Sequence, residues 1–367
     1  MKLSHKTQWL ENLPLSTLQT LMARYALRAF PAIVQRYEST TFHEDHFLKH
    51  ARSLLSAVCL IAKPSEELRI AAVFAAANAR QAGHDVDHSA ASLAAVAAAR
   101  SLVLRRGDEA KHEILSSIET LPFSDFAEQA QWDYGKISSA SENPAISHSP
   151  LWTIELQHFE AARQIDTPND RKLQKRLSFW REWYQGFLDG KPLDWELQRR
   201  VALIDDTIWD AGPETVAAEI ERIRSLFELE QEIANLKGQL TAVQNTPAAA
   251  LIGDNGGPPL EDAPARAFQT DLALIWKQVE ELEEEIAKPS PSLSHLEKIA
   301  KALWDISLRM TAYCGSIADG MIREGSKELA KAGAKWTARA TAVTVTAQTE
   351  GVQSVVKAIG AFVKTLQ

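Results

Sequence analysis

Apolar residues along this chain recur at steps of three and four, and Gly and Pro punctuate long stretches of that pattern. Alternation with period two is nearly absent, so the chain is predicted to be all-α. The first helix is expected from about Ser16 past Tyr37, with a kink at Pro31. Further helices are expected over 43–63, 66–82, 88–105 and 107–120, with a shorter one over 123–134. Lys63-Pro64-Ser65-Glu66 reads as a helix stop followed by an N-cap. Residues 71–99 contain 14 Ala, which favours helix and lets neighbouring helices approach closely. Ala71-Ala72-Val73-Phe74-Ala75-Ala76 is echoed by Ala94-Ala95-Val96-Ala97-Ala98-Ala99, and Ala51-Arg52-Ser53-Leu54 by Ala99-Arg100-Ser101-Leu102. A duplicated hairpin would give such echoes, and so would Ala-rich composition alone. Residues 1–136 are therefore read as an Ala-rich helical bundle, and the Ser/Pro-rich, aperiodic stretch 137–150 as a linker.

The next block, 151–288, combines Trp-rich helices with a helical hairpin. Trp180, Trp183, Tyr184, Phe187 and Leu188 fall on one face of one helix, which Gly190 and Pro192 end. Asp210-Ala211-Gly212-Pro213-Glu214 starts another, with Pro at an early helical position and acid in the first turn. That helix carries Val216, Ile220, Ile223, Leu226, Leu229, Ile233, Leu236 and Leu240. After a loop over 241–263, Phe268, Leu272, Ile275, Val279, Leu282 and Ile286 follow in steps of 4, 3, 4, 3 and 4, the cleanest seam in the chain. An antiparallel coiled-coil-like hairpin is the economical reading, and an intermolecular coiled coil is the competitor. Residues 289–367 are read as a helical, basic tail, with a helix over 292–314, less regular sequence after it, and a closing amphipathic helix. The apolar face of that last helix holds Val352, Val355, Val356, Ile359, Val363 and Leu366.

Charge sharpens this division. The 367 residues are 45% hydrophobic and 24% charged, ordinary globular usage, with a net charge of −8. That balance argues against nucleic acid as the partner. It also conceals an asymmetry. Residues 201–300 hold 7 basic and 19 acidic side chains, and 301–367 hold 9 and 5. The tail could pair with the acidic hairpin or meet an anionic membrane surface peripherally. No run of about 20 apolar residues is present, so no transmembrane segment is expected. The chain start shows no secretory signal, and two isolated cysteines, Cys59 and Cys314, fit a reducing compartment, so a cytoplasmic location is expected.

Candidate chemistry is sparse. His43, His46 and His50 are spaced three and four apart, so one helix face could present three imidazoles to zinc or another divalent metal, with His84, Asp85, Asp87 and His88 nearby in the chain. Solvated helix ends account for the same residues. Glu109…His112 and Glu155…His158 match the Glu-x-x-His spacing of di-iron bundles, a spacing that chance also supplies. Arg171, Lys172, Lys175, Arg176 and Arg181 beside Trp180 could attract phosphates or simply cover a helix face. Gly253–Pro259 is Gly-rich but lacks the Lys-Ser/Thr of a phosphate loop. The aromatic stripe and the 268–286 seam are ordinarily core. Exposed, they would be partner-binding surfaces, which makes Trp180, Trp183, Tyr184, Phe268, Leu272, Ile275, Val279, Leu282 and Ile286 the partner-binding candidates.

Three segments taken in order, Trp180-Arg-Glu-Trp183-Tyr184, Trp209-Asp-Ala-Gly212-Pro213 with Val216 and Glu219-Ile220, and Gly253-Asp254-Asn255-Gly256-Gly257-Pro258-Pro259, resemble an uncharacterised group of bacterial helical proteins. The region around Ala26-Leu27-Arg28-Ala29-Phe30-Pro31 is similar to that group's leading helices. The resemblance covers about 20–260 and implies no activity. The expectation from sequence is a non-enzymatic interaction or scaffold protein without a cofactor, binding a protein partner or itself through the hairpin and tail. The alternatives are a membrane-surface effector acting through the tail and a metal-dependent protein using the histidines.

Overall fold

A computed structural model describes residues 8–38, 44–84, 90–104, 107–120, 130–135, 171–244, 263–324 and 334–367. The described residues contain no strand, and nearly all lie in helices. The chain is all-α, as its periodicity predicts. By contacts it divides into two compact units, Met1–Ile220 and Glu221–Gln367. The expected linker at 137–150 lies outside the described residues. The Trp-rich helices belong to the first unit.

The first unit opens with a 3-10 turn, Gln8–Asn12, followed by α1 (Leu15–Glu38), α2 (Glu44–Ala62), α3 (Glu66–His84), α4 (Ala90–Val103), α5 (Gly107–Thr120) and a short α6 at 130–135. Helix α1 continues through Pro31. The Pro64 stop is seen, and Ser65 caps α3 by accepting the Leu68 amide at 3.2 Å. Helix α4 packs on α1, α2, α3 and α5. Its Ala97, Ala98 and Ala99 are buried, and such small side chains let four neighbours come close to one helix. Helix α2 is buried almost all round from Phe47 to Leu60, because α1, α3, α4 and a later helix, Trp195–Ala202, surround it.

Residues 171–220 complete this unit with α7 (Arg171–Arg176), α8 (Ser178–Leu188), α9 (Trp195–Ala202), α10 (Asp206–Asp210) and the start of α11 (Pro213–Gln244). Asp194 caps α9 and Asp205 caps α10, each accepting an amide two residues on. Helix α8 ends in a left-handed glycine turn. Gly190 sits at φ 66°, its amide donates to Phe187, and the Lys191 amide donates to Gly186 at 2.7 Å. The returning chain lies against Gly186, where a Cβ would stand 2.9 Å from the Lys191 carbonyl and 3.0 Å from the Pro192 Cα. Both obstacles are backbone. Gly186→Ala is therefore expected to destabilise the unit by about 1–3 kcal/mol, the range for forcing extra volume into a packed site. A fall in the urea midpoint would report it, and an unchanged midpoint would refute the close approach.

In the second unit, four helices share one core: the later part of α11, α12 (Ala263–Ile286), α13 (Leu293–Glu324) and α14 (Ala334–Thr365). Each contributes a row at steps of three and four. The rows are Leu229/Ile233/Leu236/Leu240, Ile275/Val279/Leu282, Leu296/Ile299/Leu303/Ile306/Met310 and Val352/Val355/Ile359/Phe362. Polar pairs fix the register: Lys237 with Glu283 at 2.9 Å, and Asp271 with Arg309 at 2.6 Å. Glu285 closes the α12–α13 turn by accepting from Lys288 and from the Ser292 amide. The Lys288 bond, then the Ser292 amide, hold its carboxyl below the usual range. Helix also extends to Glu324 and begins again at Ala334, where the Gly/Ala/Lys-rich sequence reads as irregular. Ala and Lys are strong helix formers, which accounts for the difference.

Candidate interaction surfaces and buried polar clusters

The aromatic stripe on α8 faces inward. Trp180, Trp183 and Tyr184 are 1%, 0% and 2% exposed. Trp183 meets Phe30 edge-on at 5.4 Å and Trp180 meets Phe47 edge-on at 6.0 Å, geometries that suit the ring quadrupoles. The Trp183 indole donates to Gln198 Oε1 at 2.8 Å, and Gln198 Nε2 donates to the Leu193 carbonyl at 2.6 Å. Three of the partner-binding candidates therefore serve the unit's own core. A cavity of about 10 Å³ beside Trp180, lined also by Glu44, Phe47 and Arg176, has room for a water and none for a substrate.

The seam candidates are likewise engaged. Ile275, Val279 and Leu282 are fully buried, and Leu272 and Ile286 pack against the same core. The side chain of Phe268 lies outside the described residues. Val352, Val355, Ile359 and Val363 of the tail are buried in that core, with Val356 and Leu366 packed against it, while Lys357 and Lys364 are exposed. No helix of the described residues is long and apolar enough to cross a membrane.

Of the histidines, His43 lies outside the described residues. His46 is half-buried and His50 is 2% exposed, its Nδ1 donating to the His46 carbonyl at 2.7 Å. Among the described residues no three His, Cys, Asp or Glu side chains gather as a metal site would require. Asp85, Asp87, His88, Glu155, His158 and Gly253–Pro259 lie outside the described residues. Glu109 and His112 are both exposed on α5. In the basic run, Arg171, Lys172 and Lys175 are exposed, whereas Arg176 pairs with Glu44 and, at 3.4 Å, with Glu214. Cys59 is buried, and burial pushes its thiol pKa up, the opposite of what a nucleophilic cysteine needs.

Two polar clusters escape the sequence reading. Arg24 and Arg28, one turn apart on α1, converge on Asp133 of α6. Arg24 Nε donates at 2.8 Å, and Arg28 forms a two-pronged bridge at 2.6 and 2.8 Å. All three side chains are at least 97% buried. Burial is the main force lowering the Arg24 pKa, and Asp133 opposes it. Arg52 of α2 bridges to Asp206 at 2.5 Å and lies 4.9 Å over the Trp209 ring, so the Trp209–Pro213 segment is anchored to the bundle by charge and by a cation–π contact. Burial lowers its pKa, and the neighbouring Asp206 carboxylate opposes that. Nearer the surface, Glu196 is held down to about 2, first by its hydrogen bond to Arg199 and then by Arg200. The only sequence signal for the Arg24/Arg28 cluster is two arginines four apart inside an otherwise apolar run.

The surfaces left open are different ones. On α3, Ile70, Val73 and Phe74 are 50%, 43% and 50% exposed. On α13, Trp304 and Leu308, one turn apart, are 44% and 51% exposed, and Leu274 of α12 is 40% exposed. Large apolar side chains grouped on an outer helix face mark contact surfaces more than isolated ones do. Helix α3 is apolar on both faces, so its periodicity did not single out the outer one. No family model, curated protein or solved structure matches this chain.

Proposed function

We propose that this chain is a non-enzymatic helical interaction protein that associates with itself to form a scaffold. The observation that carries this reading is the retention of apolar rows on outward helix faces: Ile70, Val73 and Phe74 in the first unit, Trp304 and Leu308 in the second. Keeping such side chains in water is unfavourable, at about 25 cal/mol per Å² of apolar surface, and association removes the cost. The reading also draws support from the way the ionisable side chains are used. Arg24, Arg28, Asp133, Arg52 and Arg176 tie helices to one another within the first unit. In this reading the coiled-coil-like seam and the tail build the second unit, and the outward rows meet partners.

Sedimentation equilibrium of the full chain across micromolar to sub-millimolar concentration tests the proposal. The expected result is an average mass that rises with concentration above the 40.6 kDa of one chain. A mass fixed at 40.6 kDa over the whole range would overturn it.

A further inference from the structure

The outward face of α3 carries a charge order that suits one particular partner. Its exposed residues are Glu66, Glu67, Ile70, Val73, Phe74, Ala77, Arg80 and Gln81, while Leu68, Ala72, Ala75, Ala76 and Ala79 point into the bundle. Positions 66, 70, 73, 77 and 80 advance by 4, 3, 4 and 3, the spacing of a helix-pairing seam. Acid stands at the start of this face, apolar side chains in the middle and base at the end.

We infer that α3 pairs antiparallel with α3 of a second copy of this chain about a twofold axis between Val73 and Phe74. This inference rests on the self-association reading and names its surface. The axis follows from the charges, because Glu66 and Arg80 both lie on the seam, seven residues either side of Val73 and so within half a residue of this axis. Turning one copy end for end sets Glu66 against the other copy's Arg80, at both ends of a contact roughly 20 Å long at 1.5 Å per residue. It sets Ile70 against Ala77, a large side chain beside a small one, which lets the two helices approach. Val73 and Phe74 meet their counterparts at the centre. A parallel pairing would instead juxtapose the two acidic ends, at an electrostatic cost. Such a contact is isologous and closes on itself, giving a dimer and not a filament.

The present partners of the acidic residues leave them accessible. Glu66 pairs with Arg69 on its own helix and Glu67 with Arg199 at 3.2 Å, yet their side chains are 66% and 72% exposed. One helix face covers less than the roughly 800 Å² per partner of a standard interface. The dimer is therefore reversible, and its formation depends on protein concentration.

The test uses the full chain. Phe74→Asp, at a half-exposed site, is expected to leave the thermal midpoint unchanged and to weaken self-association at least tenfold by sedimentation. Arg80→Glu alone should weaken it, and adding Glu66→Arg should restore it, because the reversed charges again face each other. Val73→Cys, beside the axis, should form a cross-linked dimer under mild oxidation much faster than the unaltered chain or Ala77→Cys. If the unaltered chain associates but Phe74→Asp and the charge exchange leave that association untouched, α3 is not the surface and the self-association reading stands on another face. If the unaltered chain remains a monomer throughout, both fall.

Discussion

Replacing Trp183 with alanine is expected to lower stability by about 3–5 kcal/mol, the range for removing a large buried aromatic. Two losses combine. The indole is fully buried and makes edge-on contacts with Phe30, Trp180 and Phe187, so its removal leaves a cavity at the centre of the aromatic cluster. Its N–H also satisfies Gln198 Oε1, a group that is itself 0% exposed. Leaving that oxygen without its donor costs about 1–3 kcal/mol by itself. The two contributions can be separated. Trp183→Phe keeps most of the ring volume and loses the donor, so it should cost less than alanine but clearly more than zero. Gln198→Leu alone loses both the indole bond and the bond to the Leu193 carbonyl, so the double variant Trp183→Phe/Gln198→Leu should cost less than the sum of the two single ones. Urea unfolding of these variants measures this. If Trp183→Phe equals the unaltered chain, the indole–amide bond contributes nothing; if Trp183→Ala costs under about 1 kcal/mol, the stripe is not core.

The aromatic stripe shows what periodicity conveys. Positions 180, 183, 184 and 187 predict one shared face, and that face is shared. What covers it is invisible in the pattern, because Phe30 and Phe47 lie well over 100 residues earlier in the chain. The same holds for the 268–286 seam. Its spacing fits a second chain as well as it fits its neighbours, and only the fold shows Ile275, Val279 and Leu282 inside a four-helix core. Local signals fared better because their causes are local: the Ser65 cap, the glycine end of α8 and proline at the first position of α11 each depend on a few adjacent residues.

The surface of α3 was illegible for the opposite reason. Its middle, Ile70–Ala77, is an unbroken apolar run, so periodicity marks no one face there as the outer one. The bundle takes up Leu68, Ala72, Ala75, Ala76 and Ala79, whose mostly small side chains bring α2 and α4 close, and leaves Ile70, Val73 and Phe74 outside.

Asp133→Ala is expected to be comparably damaging, at about 3–5 kcal/mol, the range for removing one partner of a buried ion pair. The carboxylate accepts from Arg24 and in two-pronged fashion from Arg28, and none of the three side chains has access to water. Deleting it keeps two guanidiniums inside the bundle and takes away the negative charge they share. A guanidinium does not shed its proton to escape that cost. Asp133→Asn should be nearly as harmful, because it keeps the shape and loses the charge, and this separates electrostatics from packing. Replacing these three residues together, with Arg24→Met, Arg28→Met and Asp133→Leu, should be near neutral or stabilising by about 1–4 kcal/mol, since these three charges then need no desolvation. Thermal and urea unfolding of the single and triple variants decide the matter. If the triple variant is also strongly destabilised, the cluster contributes net stability. If it is stable but no longer holds one conformation by NMR line widths, the cluster fixes the register of α1 on α6, a specificity that an apolar patch cannot supply.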